Sequence, residues 1–245
     1  FLYDLGYLPF DEPAKKLVNQ GMILGEGGEK MSKSRGNVIN PDDLIIQYGA
    51  DTLRMYEMFL GPLDQPKPWD TKGIEGVHKF LRKFWRLFHD RDNNFNVIQE
   101  APSDAELKIL HRTIKKVKED IERLSFNTSV SAFMICVNEL TALKCNKKAI
   151  LRDLVILLSS FAPFISEELW NRLGNNKSIS YACFPAYDEK HLIEETFSYP
   201  VSFNGKTRFK IDLPGTMNQE EIEKELLAHE MRANWLDGKA HKRFI

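Results

Sequence analysis

A run of five residues near the start of this sequence concentrates groups that can bind phosphate. Lys30 and Lys33 each carry an ammonium group, and Ser32 and Ser34 each carry a hydroxyl. An ammonium group on a flexible stem can follow a phosphate whose charge grows during a reaction, and a hydroxyl adds a hydrogen-bond donor. The segment, completed by Met31, therefore predicts a loop that binds a polyphosphate.

The elements around this loop are expected to hold it in place. The apolar run 22–24 predicts a strand before the loop, and the glycine-rich run 25–29 predicts a turn between them. After the loop, Asn40 is expected to cap a helix that has Pro41 in its first turn and ends at Gly49. A second helix is predicted directly after it. A solvated loop without any ligand is the competing interpretation, and it stays open at this point.

Most of the remaining chain is predicted to be helical. A short helix is expected near 12–19, and the prolines and glycine within 61–70 predict a connector at a domain boundary. From 71 to about 175, apolar residues recur at spacings of three and four, which favours an up-down bundle. One helix of this bundle is expected to begin at a capping box formed by Ser103 and Glu106.

The last part of the chain changes to an alternating pattern. Apolar residues at every second position flank Asn204-Gly205, which predicts a hairpin, and a helix is expected from Gln219 to Arg232. The result is a small ββα unit. The predicted fold class is therefore mainly α, with domains expected at 1–70, 71–196 and 197–245.

Composition limits the classes of protein to consider. The 245 residues carry a net charge of −1, so an RNA partner would have to be bound by local basic patches. Cys136, Cys145 and Cys183 lack the number and spacing of a disulfide or zinc framework, which favours a reduced, cytoplasmic protein without a metal site. No signal peptide or membrane-spanning run is recognisable. The first residue is Phe1, and we expect the chain to be a fragment.

Three groups of basic residues are candidates for contacting RNA phosphates. The first follows one predicted helix and comprises Arg82 and Arg86 together with Lys79 and Lys83. The second follows the next helix and comprises Lys108, Arg112, Lys115 and Lys116. The third lies in the tail and comprises Arg232, Lys239, Lys242 and Arg243. Solvated helix faces show the same pattern, so that alternative remains open.

The loop from Lys30 to Ser34 resembles the signature loop of class I aminoacyl-tRNA synthetases. In that family the loop lies between a strand and a capped helix. The runs 48–54, 161–170 and 200–208 are similar to segments of the bacterial leucyl-tRNA synthetase family. Isoleucyl- and valyl-tRNA synthetases share the Gly-Ala-Asp core at 49–51 and remain alternatives. The resemblance extends over nearly the whole chain.

This resemblance implies a fold and a function. It implies the end of a catalytic domain, an anticodon-binding helical bundle and a small C-terminal domain. Lys30 and Lys33 would be catalytic, and 30–34 would bind ATP, which is used with Mg²⁺. The parent enzyme would attach leucine to tRNA(Leu) as a cytoplasmic monomer with no membrane partner. A non-catalytic tRNA-binding or scaffolding module is the alternative from another functional class.

The resemblance also indicates what the chain lacks. The family's other ATP motif, of His-Ile-Gly-His type, has no counterpart in this sequence. Many leucine enzymes carry an insertion before the signature loop, where this chain has only the turn 25–29. We therefore expect the fragment alone to form no leucyl-adenylate.

Overall fold

The computed structural model describes residues 1–12, 14–192, 196–203, 206–215 and 217–228. The chain divides into two compact units, Phe1–His191 and Leu192–Ile245. The first contains the candidate phosphate-binding loop (residues 30–36) and the helical bundle, and the second contains the ββα elements. The mainly helical fold class predicted from the sequence is confirmed.

In the first unit, two short parallel strands flank the loop region, one before it in the chain and one after it. Strand β1 (Ile23–Leu24) pairs with β2 (Lys67–Pro68). The amide of Lys67 donates to the Met22 carbonyl at 2.9 Å, and the amide of Trp69 donates to the Leu24 carbonyl at 2.8 Å. Pro68, which has no amide hydrogen, falls between these two donors, so it interrupts no bond of the pair.

Two helices follow the loop directly. Helix α1 (Pro41–Tyr48) is capped by Asn40, whose side chain accepts a bond from the Asp42 amide at 3.2 Å. Gly49 has φ of 88°, a left-handed value that favours glycine, and separates α1 from α2 (Ala50–Phe59). The predicted cap, first-turn proline and terminal glycine are thus confirmed.

Five helices form the bundle. They are α3 (Thr71–Arg86), α4 (Asp104–Glu122), α5 (Phe126–Ala142), α6 (Lys148–Ser159) and α7 (Pro163–Arg172). Helix α4 packs on α5, α6 packs on α7, and α2 packs on α3, α5 and α7. The fully buried side chains include Phe84, Phe133 and Phe161, so the apolar stripes read from the sequence do face a common core.

The predicted capping box at the start of α4 is confirmed. Ser103 and Glu106 exchange side-chain and backbone hydrogen bonds, and the Lys147 ammonium lies 2.9 Å from a Glu106 carboxylate oxygen. The Glu106 side chain is buried, yet its pKa falls to about 2, because bonds from Ser103 and Lys147 outweigh the desolvation that burial imposes.

The second unit contains a hairpin and a helix. Strand β3 (Thr196–Phe203) pairs antiparallel with β4 (Lys206–Pro214), with a register irregularity between Val201 and Ser202. Ile211 and Leu213 are buried on one face of β4, and helix α8 (Gln219–Ala228) follows. The expected ββα order is confirmed, whereas the predicted helix end at Arg232 lies outside the described residues.

Two local predictions were wrong. No helix forms among the described residues near 12–19, where Leu17 remains 82% exposed and has no core to cover. A helix this short is marginal without such packing. The run 61–70 is not a plain connector either, since it contains β2.

Candidate phosphate-binding loop and basic groove

The candidate phosphate-binding loop has a defined backbone shape. Residues Lys33–Arg35 form one turn of 3-10 helix, and Gly36 ends it with φ of 66°. A side chain is strained at that angle, which explains the glycine. The hydroxyls of Ser32 and Ser34 lie 3.1 Å apart, so both sequence-predicted hydroxyls meet on one side of the turn.

Asn37 connects the two ends of this loop. Its Oδ1 accepts a hydrogen bond from the Ser32 amide at 2.9 Å, and its Nδ2 donates to the Lys30 carbonyl at 3.3 Å. A Cβ on Gly25 would lie 3.1 Å from the same Nδ2, so glycine leaves room for the amide. Asn37 therefore fixes the backbone that carries the two lysines, a role that residue spacing alone did not predict.

The charges of the loop remain available to a ligand. Lys30 and Lys33 are both exposed, and neither has an ion pair with the described part of the chain. The nearest acid in sequence, Glu29, is bound instead by Arg35 at 3.0 Å. Because this pair satisfies Glu29, two ammonium groups on one short turn are left facing solvent, an arrangement that attracts a polyphosphate.

Asp51 links the elements behind the loop to the bundle. Its carboxylate accepts bonds from the amides of Phe164 at 3.2 Å and Ile165 at 2.7 Å, at the N-terminus of α7. Burial raises the pKa of Asp51 although these amide bonds favour the ionised form. Arg54 adds a second connection by donating to the Ser160 carbonyl at 3.3 Å. Helix α2 is thus hydrogen-bonded to the end of α6 and the start of α7.

The first predicted group of basic residues forms a groove between α3 and α5. This basic groove has a cavity of about 400 Å³. It is lined by Lys79, Arg82, Lys83, Arg86, Leu87 and Thr141. Lys83 donates to the Asn138 side chain at 2.6 Å, and Lys79 pairs with Glu75 at 3.5 Å. Arg82 and Arg86 are exposed, with no ion pair to any described residue, and they are free for an anion.

The other two basic groups are different. On α4, Arg112 pairs with Glu139, Lys116 pairs with Asp120, and Lys115 lies over the Tyr187 ring. These contacts neutralise or occupy most of the second group. Arg232, Lys239, Lys242 and Arg243 lie outside the described residues.

In the part of the chain that the structure describes, no three His, Cys, Asp or Glu side chains gather in a way that would hold a metal ion. No helix there is long and apolar enough to cross a membrane.

Comparisons with known proteins show which family the chain is similar to. Residues 106–224 match the family described as the anticodon-binding domain of tRNA ligase, and residues 7–65 match class I tRNA synthetases of the I, L, M and V group. The second match includes the phosphate-binding loop. The first covers the greater part of the bundle and much of the second unit. The chain belongs to the class I aminoacyl-tRNA synthetases.

Within that family, several curated relatives are leucine–tRNA ligases. A leucine–tRNA ligase of Cytophaga hutchinsonii is 59% identical over 229 residues, which is 94% of this chain and 25% of the relative. Another, from Christiangramia forsetii, is 46% identical over 313 positions, which is 100% of this chain and 32% of the relative. Since this chain has 245 residues, at least 68 of those 313 positions have no counterpart in it.

A solved structure supports the same relationship. The agnB2 LeuRS of Agrobacterium radiobacter K84, in a ternary complex with tRNA and LeuAMS, matches with a TM-score of 0.74 and 33% identity. The match covers 100% of this chain and 34% of that one. The chain is thus homologous to a portion of leucine–tRNA ligases and spans about a quarter to a third of their length.

Proposed function

We propose that this chain is the part of a leucine–tRNA ligase that supplies the signature ATP loop and a tRNA-binding bundle. The complete enzyme would activate leucine with ATP and transfer it to tRNA(Leu). The observation that carries the proposal is the loop at Lys30–Ser34. Its two lysines form no ion pair with a described residue, and they lie on a backbone fixed by Asn37. The relatives at 59% and 46% identity are leucine enzymes, which favours leucine over isoleucine or valine.

The chemistry of activation explains why two lysines are needed. The leucine carboxylate attacks the α-phosphorus of ATP, pyrophosphate leaves, and negative charge grows on the leaving group. Lys30 and Lys33 would stabilise that charge, and Ser32 and Ser34 would donate hydrogen bonds to phosphate oxygens. Mg²⁺ would enter bound to the ATP phosphates. We therefore propose that residues 30–34 form the ATP site and that both lysines are catalytic.

The basic groove is proposed as the place where the bundle meets tRNA. Arg82 and Arg86 have no described ion pair, and Lys79 and Lys83 add charge on the same helix. Such contacts are independent of sequence and weaken with salt. Arg232, Lys239, Lys242 and Arg243 remain proposed tRNA contacts of the tail. We also propose that the domain boundaries lie near residues 70 and 196. The complete enzyme is proposed to be a cytoplasmic monomer.

The activity is tested by leucine-dependent ATP–pyrophosphate exchange in the complete protein that contains this chain. Lys30→Ala or Lys33→Ala should each lower the rate by roughly 10² to 10³, the usual cost of one lost preorganised donor. Lys72→Ala, an exposed lysine at the start of α3, serves as the matched control. A loop without nucleotide chemistry would leave all three variants equal to the wild type.

A non-catalytic tRNA-binding module is the second candidate, favoured by the basic groove alone. This module would make the same RNA contacts as the ligase, but its lysine loop would have no nucleotide chemistry. In that case Arg82→Ala with Arg86→Ala would weaken tRNA(Leu) binding while the lysine variants change nothing. The isolated 245-residue chain is expected to show no exchange, and a rate above background would contradict the proposed division of the active site.

A further inference from the structure

A second concave site shares Arg82 with the basic groove. This aromatic recess has a cavity of about 410 Å³ and lies where the start of α2, the middle of α3 and the start of α7 meet. Its walls include Tyr48, His78, Leu81, Trp85 and Phe164. Arg82 lines both the recess and the basic groove. A cationic surface and an aromatic one therefore meet at Arg82 on α3.

The rings of the recess are held in position. The Tyr48 carbonyl, which can only accept, is 3.2 Å from His78 Nδ1, and the two rings meet edge to face at 5.8 Å. Trp85 stacks on His89 at 4.1 Å and donates to the Asn93 side chain at 2.9 Å. These contacts hold the walls of the recess in place, so a ligand that enters it orders little further.

Phe164 is the exposed member of the set. The residue is 68% exposed, although its backbone amide is bonded to the buried Asp51 carboxylate at 3.2 Å. The backbone is thus fixed while the ring faces solvent at the edge of the recess. Folding gains little from leaving a phenylalanine in water, whereas a stacking partner would cover it.

We propose that the aromatic recess receives an unpaired base of tRNA whose backbone phosphates lie in the basic groove. Phosphates and bases alternate along a nucleic acid strand, and a cationic groove beside an aromatic platform fits that alternation. The shared position of Arg82 is the charge complementarity that favours a nucleotide over an apolar peptide. The proposal rests on tRNA binding by the bundle and assigns to Phe164 a stacking role in it.

The test compares stacking with phosphate binding on the full chain. Affinity for a tRNA(Leu) transcript is measured across a range of salt concentrations for the wild type, Phe164→Ala, Phe164→Trp and Arg82→Ala with Arg86→Ala. Ile135→Ala, a 54% exposed apolar residue on α5, is the matched control. A fully paired RNA duplex of similar length is the second probe.

Phe164→Ala should weaken tRNA(Leu) binding by roughly 5- to 100-fold without changing the salt slope, since stacking releases no counterions. Phe164→Trp should retain affinity, and duplex binding should be unchanged. The double arginine variant should reduce the slope by about 2, one for each lost phosphate contact.

Three outcomes would overturn the inference. Phe164→Ala equal to Ile135→Ala would remove the stacking role while leaving the arginine result, and hence tRNA binding, intact. Concentration-dependent dimerisation of the wild type that Phe164→Ala abolishes would make a second copy the occupant. No tRNA binding by the wild type would overturn the proposed RNA function and this inference together.

Discussion

The amide of Ile165 donates a hydrogen bond of 2.7 Å to the carboxylate of Asp51, although 114 positions separate them in the chain. Asp51 lies in the first turn of α2, the second of the two helices that follow the candidate phosphate-binding loop. Ile165 lies in the first turn of α7, in the bundle. The loop region and the bundle therefore share one buried carboxylate at a helix N-terminus, where negative charge is favourable.

We expect Asp51→Ala to lower the free energy of unfolding by about 1 to 3 kcal/mol, because two amides at the start of α7 lose their acceptor. Asp51→Asn should cost less. Burial raises the pKa of Asp51, so the ionised form is already disfavoured, and asparagine keeps one acceptor. Urea denaturation followed by tryptophan fluorescence measures both variants. Equal stability of all three proteins would show that the cap contributes nothing.

Glu106 predicts a pH dependence at the acid end. Its pKa falls from the ordinary 4.5 to about 2 in the folded state, where burial is outweighed by bonds from Ser103 and Lys147. Its stabilisation is therefore complete above pH 4.5 and disappears as the pH approaches 2. Glu106→Gln should cost about 2 to 3 kcal/mol at pH 7 and progressively less below pH 4.5. Chemical denaturation at several pH values, with exposed Glu122→Gln as control, gives the comparison.

His111 predicts a second, smaller loss of folding stability as the pH falls. Burial lowers its pKa from 6.5, as do His191 and Lys190, while Asp188 and Asp153 oppose the shift. Its Nδ1 accepts the amide of Asp188 at 3.0 Å. Because the unfolded chain takes up the proton first, stability is highest above pH 6.5 and falls as the pH drops below it.

Hydrogen exchange can measure this effect at one site. After correction for intrinsic rates, the Asp188 amide should exchange faster at pH 5.5 than at pH 7. His111→Asn keeps an oxygen near the position of Nδ1 but does not titrate, so its Asp188 protection should stay constant with pH. If wild type and variant follow the same profile, another group controls this segment.

Asn37 predicts the order of the phosphate-binding loop. Asn37→Ala removes the acceptor of the Ser32 amide and the donor to the Lys30 carbonyl, each a bond of about 1 kcal/mol. The Ser32 amide should then exchange roughly 5- to 10-fold faster. Asn37→Asp keeps the acceptor and should protect this amide almost as well as the wild type. Unchanged exchange in the alanine variant would mean that the turn at Gly36 fixes the loop alone.

The sequence predicted those features whose cause lies within a few residues. The cap at Asn40, the capping box at Ser103 and the apolar stripes all depend on spacing along one helix, and each is present. The helix expected near 12–19 was wrong because propensity without a core to pack against is insufficient at that length. Strand β2 was missed because its pairing with β1 is a long-range contact.

The same distinction applies to the candidate site. The types of residue at Lys30 and Lys33 indicate phosphate chemistry without any coordinates. The Asp51 contact with α7 and the meeting of Tyr48 with Phe164 in one recess depend on tertiary packing across the chain. Asn37 could have been recognised from the sequence as a residue that fixes the loop, since a side-chain amide commonly forms hydrogen bonds with nearby backbone.

The turn between β1 and the loop has a consequence for how such chains acquire new domains. The Gly25 amide bonds to the Glu29 carbonyl at 2.7 Å, so the segment starts and finishes at adjacent atoms, and its tip at Gly27 and Gly28 is exposed. Extra length there costs only a slowly growing closure entropy and leaves both flanks in place. Extra residues inserted at this turn would therefore leave the backbone that carries Lys30 and Lys33 in place.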